Sequence, residues 1–166
     1  MKRSVNYLLT RPEVIPERIG TYGHSMGSTH VWLATPFEPR IACAVGNCCL
    51  PTYAAIERAR LIHCFPNFVP GWAQHGDTPD IVSLIAPRPL HLNFGELDDG
   101  SPIQEVRRGL EVISEAYRAQ GAAGAFSSYV EEGAGHVLSA EMWRRTLEFF
   151  QLHLQPTTTG AERVRL

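Results

Sequence analysis

The pentapeptide Gly23-His24-Ser25-Met26-Gly27 constrains this chain more than any other stretch, because a strand-like run gives way there to a helix-like one. Arg18-Ile19-Gly20-Thr21-Tyr22-Gly23 reads as a short buried strand, and residues 28–35 are compatible with a helix that stops at Pro36. Gly-x-Ser-x-Gly in that setting has the pattern of a nucleophile elbow. Small neighbours let the backbone take a tight turn that lifts the serine hydroxyl above the end of a sheet. The helix that follows aims its first amides at the same point, where a developing oxyanion can be stabilised. Met26 N–H is the candidate for one such donor. The pentapeptide alone is a weak signal, and the rest of the chain decides its meaning.

A serine hydroxyl is a poor nucleophile at neutral pH; it needs a base, and the base needs an orienting carboxylate. After an elbow these partners follow in the order acid, then histidine, each on a loop beyond a later strand. Pro89-Leu90-His91-Leu92-Asn93-Phe94 reads as a strand and runs into Gly95-Glu96-Leu97-Asp98-Asp99-Gly100, a turn-rich loop with three carboxylates. Phe126-Ser127-Ser128-Tyr129-Val130 reads as the next strand, and Gly133-Ala134-Gly135-His136 follows it. The candidate triad is therefore Ser25, Asp98 and His136.

The element order read along the chain is helix (about 3–10), strand (18–23), helix (26–35), strand (41–48), an irregular segment (about 50–80), short helix (80–85), strand (89–94), helix (103–119), strand (125–130) and helix (140–154). Val106, Leu110, Ile113 and Tyr117 recur on one helical face, and Trp143, Leu147, Phe150 and Leu154 repeat that spacing in the last helix. Strands alternating with helices predict βαβ units: an α/β domain over residues 1–154 with about four parallel strands, flanking helices and right-handed crossovers. Residues 155–166, with Pro-Thr-Thr-Thr-Gly, are expected to be a flexible tail.

With the acid loop and the elbow in view, the chain resembles the C-terminal part of an α/β-hydrolase, in the acetyl xylan esterase and dienelactone-hydrolase-like branch. Three stretches carry the likeness: residues 7–20 leading into the elbow strand, His63-Cys64-Phe65-Pro66-Asn67-Phe68-Val69-Pro70-Gly71, and Leu84-Ile85-Ala86-Pro87-Arg88-Pro89-Leu90 running on to Gly95-Glu96-Leu97-Asp98. In the family pattern the acid follows Gly-Glu-x, which selects Asp98 over Asp99. The resemblance implies a truncated α/β-hydrolase fold in which the strands that usually precede the elbow are missing. The loop that usually gives a second oxyanion amide is missing with them. It also implies a serine esterase acting on small or short-chain, acetyl-type esters. Two other functions stay open: a non-catalytic remnant that binds a ligand or partner, and a peptidase related to the prolyl oligopeptidases.

The segment between residues 50 and 80 holds Tyr53, Phe65, Phe68 and Trp72, stiffened by Pro66 and Pro70. It is expected either to form a lid or acyl pocket over the serine, or to cover exposed core. Candidate pocket residues are His24, Cys49, Phe65, Phe68 and Trp72. Within the elbow, His24 is also expected to pack beneath the turn without reacting. His63 and His75 are read as surface or structural, with a pocket-facing position left open, and His30, His91 and His153 carry no assigned chemistry. Cys43, Cys48, Cys49 and Cys64 lack the spacing of a zinc site and read as small buried hydrophobes, with a pocket-lining role open for Cys48, Cys49 and Cys64.

Composition bounds the partners. With 166 residues, 44% hydrophobic, 19% charged and a net charge of −2, the chain has an ordinary globular make-up and no basic excess for nucleic acid or an anionic membrane. No run approaches the ~18 apolar residues that span a bilayer, and the N-terminus lacks the apolar core of a secretory signal, so a cytoplasmic location is expected. No metal-ligand spacing and no phosphate or dinucleotide cradle is present in the sequence, so no cofactor is expected. With its usual neighbours missing, strand 18–23 would be an exposed apolar edge, which predicts a homodimer that covers it.

Overall fold

The computed structural model describes residues 1–60, 63–64 and 67–155. Its sheet has four strands, β1 (Gly20–His24), β2 (Cys43–Asn47), β3 (Leu90–Gly95) and β4 (Phe126–Glu131), all parallel and in the spatial order of the chain. Helices α1 (Lys2–Leu8), α2 (Met26–Ala34), α3 (Tyr53–Ala59), α4 (Thr78–Ser83), α5 (Ile103–Ala119) and α6 (Ala140–Leu154) surround it. The register sets His24, Asn47, Asn93 and Tyr129 side by side across the C-terminal edge of the sheet. Open parallel sheets place their reactive loops at that edge.

Two faces of the sheet are packed. Ala44, Leu90, Leu92 and Phe94 meet Val31 and Trp32 of α2, Ile81 and Val82 of α4, and Val106, Ile113 and Tyr117 of α5 in one cluster. Cys43 and Val45 point the opposite way, onto Phe149 of α6. This alternation is the period of two that a strand imposes. It explains why every residue of β2 and β3 is buried, as expected where helices cover both faces of a parallel sheet. A smaller cluster of Val5, Ile19 and Ile41 fastens α1 below the sheet.

Two expectations change. The segment over residues 50–80 is not without helix: Thr52 caps α3 by accepting from Ala55 N–H. Asp77 and Asp80 close a capping box on α4, so that helix starts at Thr78 rather than near 80. In α6 the buried face is Met142, Thr146 and Phe149, one position earlier than the predicted stripe. Trp143 and Leu147 stay about two-fifths exposed, while Phe150 and Leu154 lie against β1. The apolar stripe of the sequence therefore splits: Phe150 and Leu154 pack at the margin of the cluster beside β1, while Trp143 and Leu147 stay largely exposed. Residues 156–166 of the expected tail, and Phe65 and Pro66, lie outside the described residues. Among the described residues no helix is long and apolar enough to cross a membrane.

Candidate active site

The strand-to-helix turn holds Ser25 at φ 57°, ψ −121°, in the left-handed region that a side chain rarely occupies. Such a conformation costs about 1–3 kcal/mol and persists only where its surroundings impose it. Gly23 is one reason it can form: a Cβ there would lie 2.1 Å from the Gly27 backbone, so the turn closes only without a side chain. Ser25 N–H donates to Asn47 O at 2.8 Å, which ties the elbow to the end of β2. Met26 opens α2, so its N–H has no partner one turn back within the helix.

Asp98 lies on the loop after β3. That loop packs against the one after β4, with Leu97 N–H donating to Ala134 O at 2.7 Å and Glu96 N–H donating to Glu131 O at 2.9 Å. Gly95 permits the approach, since a Cβ at that position would sit 2.1 Å from Gly135 O. The Asp98 carboxylate is buried and accepts on both oxygens: from Gly100 N–H at 2.9 Å and from His136 Nδ1–H at 2.8 Å. Asp99 is exposed.

His136 completes the contact. Because its Nδ1–H donates to the carboxylate, Nε2 is left as the acceptor for the Ser25 hydroxyl, 2.7 Å away. Three side chains from positions 25, 98 and 136 thus form one continuous hydrogen-bond line, with the His136 side chain in the middle 44% exposed. The loop is held from behind: Val137 O accepts from Asn47 Nδ2 and from Cys48 Sγ, both at 3.2 Å. Ser139 caps α6 through Met142 N–H and donates to the Glu131 carboxylate.

The pocket candidates divide. His24 does not pack beneath the turn. Its ring lies 5.3 Å from that of His136 and its Nδ1 accepts from Asn47 Nδ2 at 2.8 Å. Burial, and then the neighbouring His136, push its pKa below the ordinary histidine value. Cys49 is buried against Thr29 Oγ1 at 2.9 Å, and burial pushes its thiol up to about 12. It packs as core, as a small apolar side chain would. Trp72 is a correction. It lines an open groove of about 510 Å³ with Phe37, Ile81 and Leu84. Phe37 lies beyond the C-terminal end of α2, about 14 Å of helix from the serine at its start. Phe68 is exposed, and Phe65 is not among the described residues.

Cysteine usage follows packing. Cys43, Cys48 and Cys49 are buried and Cys64 is partly buried, all as free thiols. Among the described residues Cys48, Asp98 and His136 bring three potential metal donors within 4.8 Å of one another. Both nitrogens of the imidazole are already engaged, and the Cys48 thiol donates to Val137 O with its pKa pushed up to about 11 by burial. Each of the three is thus already hydrogen-bonded, Asp98 and His136 to one another and Cys48 to Val137 O and Asn47 Nδ2. Asn47 is the residue here that the sequence reading does not single out, although an asparagine ending an otherwise apolar strand is a visible signal.

No protein-family model matches the chain. It is 32% identical over 151 residues to a Bacillus subtilis (strain 168) protein named "Putative hydrolase YtaP", covering 89% of this chain and 50% of that protein. Among solved structures it is similar to a glucuronoyl esterase from Solibacter usitatus (TM-score 0.74, 17% identity, 93% of this chain and 47% of that one). It is also similar to the glucuronoyl esterase catalytic domain from Hypocrea jecorina (TM-score 0.72, 20% identity, 95% and 51%). The methylesterase BT1017 matches with TM-score 0.72 and 17% identity over 91% of this chain and 33% of that one. The chain therefore spans about half the length, or less, of these proteins. Its four parallel strands and their helices are part of an α/β-hydrolase fold.

Proposed function

We propose that this chain is a serine hydrolase that cleaves carboxylic esters of small or short acyl groups, with Ser25 as nucleophile, His136 as base and Asp98 as its orienting acid. The observation that carries the reading is the unbroken line Ser25 Oγ–His136 Nε2–His136 Nδ1–Asp98 Oδ2, at 2.7 and 2.8 Å. The esterase names of similar structures support ester chemistry, and the acetyl-type acyl group follows the sequence resemblance.

The reaction is two-step acyl transfer. His136 Nε2 takes the Ser25 proton as Oγ bonds to the ester carbonyl carbon. The carbonyl electron pair moves onto oxygen, where Met26 N–H donates to it. The C–O bond to the alcohol then breaks, and His136 returns the proton to the leaving oxygen. Water repeats the sequence on the acyl-enzyme: its proton goes to His136, its oxygen bonds to the acyl carbon, and Ser25 leaves reprotonated. Asp98 holds the Nδ1–H tautomer and stabilises the imidazolium throughout.

Fluorophosphonate labelling tests this. Stoichiometric modification at Ser25, absent in Ser25→Ala, is expected, together with p-nitrophenyl acetate turnover above that variant. No labelling and no turnover would favour a binding module that keeps the cleft without the chemistry. Faster cleavage of peptides than of esters would favour the peptidase.

A further inference from the structure

Asn47 is the last residue of β2 and is fully buried. Its main-chain oxygen accepts from Ser25 N–H at 2.8 Å. Its side-chain amide reaches three further groups, His24 Nδ1 at 2.8 Å, Val137 O at 3.2 Å and Cys48 Sγ at 3.3 Å. One residue thus touches the residue before the nucleophile, the nucleophile's own amide and the residue after the base. The amide orientation follows from its partners. A carbonyl such as Val137 O can only accept, so the NH₂ group must face it, and His24 Nδ1 is then the acceptor as well.

We propose that Asn47 is a positioning residue that sets the separation of Ser25 from His136. This rests on the hydrolase reading above. Ser25 and His136 lie 111 residues apart in sequence and on different loops. Their shared strand edge supplies no direct backbone bridge, because β1 and β4 are the two outer strands. The bridge passes through β2, and Asn47 is the side chain that makes it. Cys48 adds a thiol donor to the same Val137 oxygen. By keeping the His24 Nδ1 lone pair occupied, the amide also holds that ring as the neutral Nε2–H tautomer beside His136.

A displacement of about 1 Å between reacting groups can lower a rate by about a hundredfold. The test uses the full chain with p-nitrophenyl acetate and a fluorophosphonate probe. Asn47→Asp keeps the shape but replaces the NH₂ donor by an acceptor, and Asn47→Ala removes the side chain. Both are expected to lower kcat and the labelling rate of Ser25 by about 10- to 100-fold. KM should stay within about twofold, and the unfolding transition should remain cooperative. His24→Ala cuts one arm of the bridge from its half-buried end. In the Asn47→Ala background it is expected to cost less than it does alone, because the arm is already gone. If an Asn47 variant does not fold, the His24→Ala variant stands in for it, with the same expected loss in kcat at unchanged KM. Wild-type labelling with folded Asn47 or His24 variants that label as fast as wild type would overturn the proposal. Absence of labelling in the wild type would instead overturn the hydrolase reading.

Discussion

His63 Nε2 donates to Gly100 O at 2.8 Å, and Gly100 N–H in turn donates to Asp98 Oδ1 at 2.9 Å. The tautomer is set from the other side of the ring, where Nδ1 accepts from Cys64 N–H at 3.1 Å and from the Asn67 side-chain amide. The segment between β2 and β3 therefore grips the turn that carries Asp98. His63→Ala is expected to lower kcat for p-nitrophenyl acetate by about 3- to 10-fold, as the acid loop loses one of its anchors. His63→Gln, which can still donate to the carbonyl, should recover part of that loss. Equal kcat in all three proteins would show the grip to be irrelevant to turnover.

Asp98→Asn offers a sharper test of the acid. The amide fits the same space and can keep a bond to His136, but it favours the wrong imidazole tautomer and carries no charge to balance the imidazolium. A loss in kcat of about 10⁴ is expected. Asp99→Asn, one residue along and exposed, should change kcat by less than twofold. Steady-state rates of the two variants, measured side by side, separate the neighbouring carboxylates.

Much of the fold was legible because it depends on short-range signals. The Gly-x-Ser-x-Gly turn, the strand runs of β2 and β3 and the stripe Val106–Leu110–Ile113–Tyr117 each report burial locally, and the structure places them as the periodicity implies. The α6 stripe misled because two apolar faces exist on one helix. Met142–Thr146–Phe149 includes a threonine and reads as polar, yet Thr146 is buried and bonded to Asn93 Nδ2 and Met142 O. The role of Asn47, and the hold of His63 on Gly100, are not legible for a different reason. Their roles come from partners 90 and 37 residues away, and no local pattern encodes a contact of that range. The aromatic character of Trp72 and its place in the long segment between β2 and β3 suggest a pocket, but neither says which end of α2 it faces.

Stability should fall with acid in two steps. His91 is buried between β3 and α6, with Nδ1 accepting from Ser127 Oγ and Nε2–H donating to Asn93 Oδ1. Burial pushes its pKa below the ordinary 6.5, and His24 and His153 shift the same way. A histidine held neutral in the folded state binds its proton more readily when unfolded. Its contribution is therefore intact above about pH 6.5 and is lost as pH falls below that. Glu38 is the second step: bonded to the Arg40 guanidinium, its carboxyl is lowered from 4.5 to about 2. Its contribution is present above 4.5 and disappears as pH drops toward 2. Thermal unfolding midpoints measured from pH 8 to 3 should show both declines. His91→Gln should make the first smaller, with His24 and His153 leaving a remainder, and Glu38→Gln should make the second smaller, with Glu141 leaving one there. A midpoint that stays level between pH 7 and 5 would contradict the histidine account.

The outer edge of β1 carries the last prediction. Ile19 O and Ser25 N–H bond toward β2. The alternation of a strand then turns the main-chain groups of Gly20, Tyr22 and His24 to the open side. Beside that edge lies Trp143, packed edge-on against Tyr22 and about two-fifths exposed. Unpaired strand edges with apolar flanks associate, and a two-fold axis lets one such edge satisfy another of the same kind. We therefore propose that the chain forms a dimer through β1. Sedimentation equilibrium should give a two-chain species at micromolar concentration. Trp143→Glu, which places a charge on the flank without touching Ser25, His136 or Asp98, should weaken association at least about tenfold, since a buried unpaired carboxylate is strongly disfavoured. A wild-type chain that sediments as a stable monomer at these concentrations would mean that β1 does not pair with its own copy.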